Sequence, residues 1–339
     1  MADPILVEVT RGRATESQHR GALAVVDADG RRVQALGETD RRIFPRSAVK
    51  GLQALALIET GAADRYGLTQ AELALACSSH SGEPRHAETA ASMLAKAGRD
   101  VTCLECGTHW PSNEQAARAL AATGREPTAL HNNCSGKHSG FICVACATNV
   151  DPKGYVRPDH PVQQRIKAVF EDMMSIKLPD ASRGVDGCSI PTYATPLEAL
   201  ALAFARFGSG TKLSRDRAAA ALRLREAVAG EPFMVAGSRR FDTIVMGALG
   251  TKAFTKTGAE GVYCAALPEQ GLGIAIKCDD GAGRAAEAVM ASLLCAYVPM
   301  TDAQRAIVAP YADKPILNWN GIETGRLRVR ASSEWRVAN

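Results

Sequence analysis

The chain has 339 residues, 46% hydrophobic and 22% charged, with 40 Lys and Arg against 36 Asp and Glu. That apolar content can bury a core without disulfide or metal staples, which excludes a disordered or low-complexity chain. The formal charge of +4, with no block of Lys or Arg, leaves no electrostatic footprint for nucleic acid.

The N-terminal residues show no positive stretch followed by an apolar run, so no signal peptide is expected. Leu23-Ala-Val-Val-Asp27 and Arg32-Val-Gln-Ala-Leu36 flank Ala28-Asp29-Gly30, which predicts a hairpin. Apolar positions Val49, Leu52, Leu55 and Ala56 predict a helix over 46–58, just after Pro45. Further helical patterns cover 70–76, 84–97, 113–122, 140–147, 161–174, 196–207 and 214–228. Beyond about residue 250, short β-compatible runs at 252–255, 261–267 and 273–277 are separated by Gly and Pro. A last helix is predicted over 283–297. The stretch 285–300 is the nearest approach to a membrane span, but it carries Glu287 and reads as a core helix. No membrane partner is expected, and the expected compartment is the cytoplasm, where cysteines stay reduced. Strands, helices, strands and a helix in that order predict an α+β fold whose first and last segments share one sheet. A single catalytic unit over 1–339 is expected. About 1–45 and 240–310 would form its sheet layer and about 46–235 its mainly helical part.

Ser47-Ala-Val-Lys50 places a hydroxyl and an amine on one face of a helix. A neutral Lys amine can take the Ser proton, the activation that a hydroxyl nucleophile needs. The pattern alone is weak, since Ser209-Gly-Thr-Lys212 matches it too, in a Gly-rich connection. Company strengthens it. Ser78-Ser79-His80-Ser81-Gly82-Glu83 forms a serine loop between two helices, and Lys256-Thr257-Gly258 ends a strand. Ser-x-x-Lys, a serine loop and Lys-Thr-Gly, in that order, is the arrangement of penicillin-recognising serine enzymes. The hairpin after Thr255 also resembles the matching segment of serine-dependent glutaminases.

Two of the ten cysteines stand in polar, Gly-rich surroundings: Cys134 in His131-Asn-Asn-Cys-Ser-Gly-Lys-His-Ser-Gly140, and Cys188 in Gly184-Val-Asp-Gly-Cys188. With His138 close to the first, the set suits zinc. A rival site would use Cys103, Cys106 and His109 with Cys143 and Cys146. The last two fall in an apolar helical run where core packing fits better, and the gap between the pairs is too long for a zinc ribbon. Cys264 and Cys295 also fall in apolar patterns and are expected in the core, as are Cys143 and Cys146. Cys77 is expected beneath the serine loop, and Cys278 ends a strand. By spacing alone His138 is the natural third ligand, because a Lys amine must first lose its proton.

At these residues the chain resembles the rhizobial-type L-asparaginases. The resemblance is most specific at Phe44-Pro-Arg-Ser-Ala-Val-Lys-Gly51, Ser78-Ser-His-Ser-Gly-Glu83, Asn133-Cys-Ser-Gly-Lys-His-Ser-Gly140, Gly184-Val-Asp-Gly-Cys188 and Lys256-Thr-Gly-Ala-Glu-Gly261. The Thr-Gly-Gly-Thr signature of the Thr-nucleophile asparaginases is absent. The resemblance implies a serine β-lactamase/glutaminase-like fold, a mixed sheet with flanking helices plus a helical region, assembled as a homodimer. It implies two Ser–Lys tandems, Ser47 with Lys50 and Ser79 with Lys256. It also implies a zinc ion held by Cys134, Lys137 and Cys188, with Lys137 displacing His138 as the third ligand. L-asparagine would be the substrate, held by Arg46, His80, Glu83, His138 and Asp186. A glutaminase or a β-lactam-hydrolysing serine enzyme of the same fold is the alternative.

Overall fold

The computed structural model describes residues 2–330, so Met1 and 331–339 of the expected catalytic unit lie outside the described residues. The chain divides into two compact units: Met1–Ala48 with Thr195–Lys212 and Ala248–Asn339, and Val49–Ala194 with Leu213–Gly247.

The first unit is built on an eight-stranded sheet. Its strands run in the order Asp313–Leu317, Glu323–Val329, Ile5–Arg11, Ala14–Asp27, Leu272–Cys278, Val262–Leu267 and Phe254–Thr257, and Arg32–Leu36 pairs off this path with Ala14–Asp27. The α+β class holds, but the described sheet is antiparallel throughout rather than mixed. Short connections explain the difference. Gly12, Gly261 and Gly271 take left-handed φ values of 55°, 68° and 64° in the links between neighbouring strands, and links this short reverse the chain. The predicted hairpin at Ala28-Asp29-Gly30 forms, closed by Gly30 N–H on Asp27 O at 3.0 Å. Helices Leu197–Ser209 and Gly283–Tyr297 both pack on Val262–Leu267 and Leu272–Cys278. All six residues of Val262–Leu267 are accordingly buried, and the alternation of a one-sided strand is lost. Gly273 permits the close approach of the first helix, since a Cβ there would lie 1.9 Å from Ala201 O. A short ladder of Arg42–Ile43 with Thr195–Pro196 ties down the segment that leads to Ser47.

The second unit is mainly helical. Its central helix, Ser135–Ala147, is buried from Ser135 to Ala145. Helices Lys50–Glu59, Gln70–Ala76, Pro84–Lys96 and Pro161–Met174 pack around it. The sequence pattern places this helix over 140–147, five residues short, because Ser135-Gly136-Lys137-His138-Ser139 reads as a polar loop. Tertiary burial makes it helical: small residues let neighbouring elements come close, and the polar side chains find partners inside. A hairpin of Arg183–Val185 with Pro191–Tyr193 carries Asp186 and Cys188 at its turn. Among the described residues no helix is long and apolar enough to cross a membrane.

Candidate active site

In the helical unit the structure brings together most of the residues singled out from sequence. Cys134 caps helix Ser135–Ala147, and its N–H donates to Asn132 Oδ1 at 2.8 Å. Lys137 lies in the first turn and its Nζ donates to Cys188 Sγ at 3.0 Å. The two thiols also hydrogen-bond each other. Cys134, Lys137 and Cys188 are 5%, 2% and 4% exposed, so the three donors converge in the interior.

Their charges are coupled. The hydrogen bond from Cys188 lowers the Cys134 thiol well below the ordinary cysteine value, against the cost of burial and with help from Lys137. The Cys188 thiol, the donor of that bond, is pushed up. Burial opposes the Lys137 ammonium, but the facing sulfurs outweigh it and hold its pKa above the usual lysine value. Two sulfurs and an amine at hydrogen-bond range suit a soft divalent ion such as zinc, which would displace the thiol and ammonium protons on binding. Among the described residues no group of three or more His, Cys, Asp and Glu could hold a metal, so a site here needs its lysine.

His138, the ligand that spacing favours, is placed differently. Its Nδ1 lies 2.6 Å from the Tyr155 hydroxyl, and burial drives its pKa well below the usual histidine value. The rival cysteine site does not assemble among the described residues. Cys106 is buried with its Sγ on Ala129 O at 3.7 Å, Cys143 reaches Met93 O at 3.6 Å, and Cys103 is half-buried. All ten cysteines are free thiols. Cys146 and Cys295, expected in the core, are only half-buried because each stands near the C-terminal end of its helix. Cys77, Cys264 and Cys278 are buried.

The serine loop adjoins this cluster. Lys50 opens helix Lys50–Glu59, is 1% exposed, and donates from Nζ to Asn133 O at 3.2 Å; it also hydrogen-bonds Cys134. The same Asn133 carbonyl accepts His80 N–H at 3.2 Å, and Ser79 N–H donates to Val235 O at 2.9 Å. Asn133 thereby joins the amine, the serine loop and the thiols. Sequence reading passed over it, although an Asn pair just before a helix start is a capping signal.

His80 and Glu83 brace the loop. His80 Nδ1 accepts Gly82 N–H at 3.1 Å, so the proton sits on Nε2, 2.9 Å from Ser135 Oγ. Glu83 caps helix Pro84–Lys96 and accepts from Ser81 Oγ at 2.7 Å, Ser238 N–H at 2.7 Å and Ser238 Oγ at 2.6 Å. Burial raises its pKa, but the bonds from Ser238 and Ser81 outweigh that and leave it below the usual glutamate value. A depressed carboxyl adds stability above its unfolded pKa and loses it as pH falls through the folded value. Glu83→Gln is therefore expected to lower the melting temperature near neutral pH, with the gap to wild type closing in acid below the usual glutamate pKa. Thermal melts at about pH 7 and about pH 3 check this, and a gap that persists in acid rejects the charge as its cause. Asp186 stands half-buried at the hairpin turn, where its charge acts on Lys137.

In the sheet unit, Ser47 belongs to the 3-10 turn Arg46–Val49, which leads directly into helix Lys50–Glu59. Arg46 holds a left-handed φ of 51°, an uncommon conformation for a residue with a side chain. Strand Phe254–Thr257 carries Lys256, 0% exposed, whose Nζ donates to Thr257 O at 2.8 Å. A Cβ on Gly258 would lie 2.7 Å from Pro45 O and 3.3 Å from Ala48 Cβ, so only glycine lets the strand end abut the Ser47 segment. The other Ser-x-x-Lys match is structural. Ser209 Oγ donates back to Ala205 O at 2.9 Å at a helix end, and Lys212 pairs with Asp29 at 3.2 Å.

A model of the L-asparaginase II family matches residues 7–329 of the chain. No curated protein matches it in sequence. Among solved structures it is similar to a β-lactamase from Mycobacterium bovis at 14% identity and a TM-score of 0.41, over 82% of this chain and 95% of that one. It is similar to Mglu in its native form at 15% identity and 0.35, over 80% of this chain and 62% of that one. Similarity to the D-alanine carboxypeptidase AmpC from Burkholderia cenocepacia stands at 14% and 0.38, over 80% and 93%. These likenesses are remote ones of fold.

Proposed function

This chain belongs to the L-asparaginase II family and is an amidohydrolase, and on that premise we propose that it cleaves L-asparagine through a serine ester. Ser47 Oγ attacks the side-chain amide carbon while its proton passes to the free amine of Lys50. The second tandem implied by the resemblance, Ser79 with Lys256, carries a proton to the departing ammonia. Water then cleaves the β-aspartyl ester and releases L-aspartate. Backbone N–H groups at the Ser47 turn offset the negative charge that develops on the carbonyl oxygen. Arg46, Asp186 and His138 hold the charged ends of the substrate, and His80 and Glu83 keep the Ser79 loop in place. The observation that carries this reading is the buried Lys50, three residues after Ser47, with its Nζ on the same carbonyl that anchors the Ser79–His80 loop.

Cys134, Lys137 and Cys188 would hold the zinc. When bound, the ion supplies a fixed positive charge next to the substrate. Cys188→Ala is expected to weaken zinc retention by more than the roughly 100-fold that outer partners of a metal typically contribute. Metal content after gel filtration measures this apart from activity. Wild-type retention in the variant would remove zinc from the reading.

Ammonia release from L-asparagine by wild type and Ser47→Ala tests the reaction itself. L-glutamine and a chromogenic β-lactam assayed alongside decide the substrate, and faster turnover of either would displace asparagine.

A further inference from the structure

His138 Nε2 is one of three buried side-chain atoms of the helical unit, with Ser78 Oγ and Arg225 Nε, that have no hydrogen-bond partner among the described residues. His138 and Tyr155 are both 0% exposed, and their rings meet edge-on with centroids 5.3 Å apart. The Tyr155 hydroxyl accepts Glu105 N–H at 2.9 Å and lies 2.6 Å from His138 Nδ1. Gln163 Nε2 donates to Tyr155 O at 2.9 Å and fixes the backbone behind the ring. Among the described residues His138 Nε2 has no hydrogen-bond partner.

A count of protons settles which nitrogen is protonated. A phenol has one proton to give. If the Tyr155 hydroxyl donates to Nδ1, every group in the trio is paired except the N–H of Nε2. If Nδ1 carries the proton instead, the hydroxyl accepts twice, its own proton has no acceptor, and the Nε2 lone pair is also unpaired. The first arrangement leaves one buried group unmatched and the second leaves two. Unmade hydrogen bonds in the interior are costly, so the first prevails.

We propose that Tyr155 is a positioning residue that holds the His138 imidazole with its proton on Nε2, keeping one buried N–H donor for an oxygen of the bound substrate. His138 follows Lys137 in the first turn of the helix capped by Cys134, and the Lys137 charge acts on its ring, so the imidazole lies within electrostatic reach of the thiol–amine cluster. The ligand class that fits is a small amino acid with a carboxylate oxygen to offer. This part of the inference rests on the asparaginase reading above. A purely structural His138 would instead have its Nε2–H satisfied by a resident water and would be indifferent to ligand.

The test uses the full chain labelled with nitrogen-15 at histidine. In wild type the His138 signals are expected to report the Nε2–H tautomer and to move when L-aspartate is added. In Tyr155→Phe the tautomers should mix, and KM for L-asparagine should rise about tenfold with a smaller change in kcat, as expected for a lost hydrogen bond to a charged group. A melting temperature close to wild type keeps that comparison free of unfolding. His138→Gln, whose amide N–H reaches a similar point, should retain a lower KM than His138→Leu. An unchanged tautomer in Tyr155→Phe overturns the role of Tyr155, and so does a mixed tautomer with KM within twofold of wild type. A wild type that hydrolyses no asparagine and ignores aspartate overturns the substrate assignment, while the tautomer comparison still decides Tyr155.

Discussion

Ser47→Ala is expected to lower ammonia release from L-asparagine by roughly 10⁴-fold or more, the scale of loss when a covalent nucleophile is removed. The variant should fold normally. Ser47 sits in a 3-10 turn next to a helix, where alanine is a good backbone former, so melting temperature and metal content should stay near wild type. Ser79→Ala should cost less, about 10²- to 10³-fold, since a proton relay contributes less than the nucleophile itself. Acid quenching of wild type during turnover, followed by mass spectrometry of peptides, should find the aspartyl adduct on Ser47. An adduct on Ser79 would exchange the roles of the two serines. Undiminished activity in Ser47→Ala would end the nucleophile assignment altogether.

Gly136→Ala carries the second large effect, this time on stability. In an exposed helix, alanine in place of glycine stabilises by about 1 kcal/mol. At Gly136 the added Cβ would lie 2.4 Å from both Leu75 Cγ and Leu75 O and 2.8 Å from Leu75 C. A side chain can turn aside, but a carbonyl at the end of helix Gln70–Ala76 moves only with its helix. Overpacking of this kind costs roughly 1–3 kcal/mol, occasionally more, and here it exceeds the gain in propensity. A net loss of about 2 kcal/mol is expected in denaturant unfolding. Because Cys134 and Lys137 share that helical turn, zinc retention should fall with it. Gly140 is the internal control: its added Cβ would meet Ala76 Cβ at 3.6 Å and Leu57 Cδ2 at 3.7 Å, ordinary van der Waals distances. Gly140→Ala should be neutral or stabilising. Equal behaviour of the two variants would refute the close-approach argument.

The parts of the site that follow from short-range pattern are visible in the sequence. Ser47 and Lys50 are one helical turn apart, and Cys134 and Cys188 differ from the other cysteines by their polar, Gly-rich neighbours. Ser78–Glu83 announces a loop by composition. Such signals depend on residues two to four positions apart, and the hairpin at Asp29 and the helix at 161–174 were readable for the same reason. The start of helix Ser135–Ala147 was not. Its first turn is polar, and only its burial shows that Gly136 and Ser139 are packing residues. Misplacing that start conceals the choice between Lys137 and His138. Consecutive helical residues point about 100° apart, so only one of the two meets Cys188, and spacing favoured the wrong side chain for that contact.

What the sequence by itself determined is therefore the inventory: an α+β chain, a Ser-x-x-Lys pair followed by a serine loop and Lys-Thr-Gly, and two unusual cysteines. The tertiary structure decided the meetings. The Arg183–Val185 hairpin brings Cys188 to Lys137 across 51 positions, Asn133 links Lys50 to a loop more than fifty residues earlier, and Ile5–Arg11 pairs with Glu323–Val329. The reason is physical. Local propensity acts through the backbone of a few neighbouring residues, whereas these meetings form only when whole faces leave water together. Each is paid for by burial elsewhere in its unit, which no window of sequence contains.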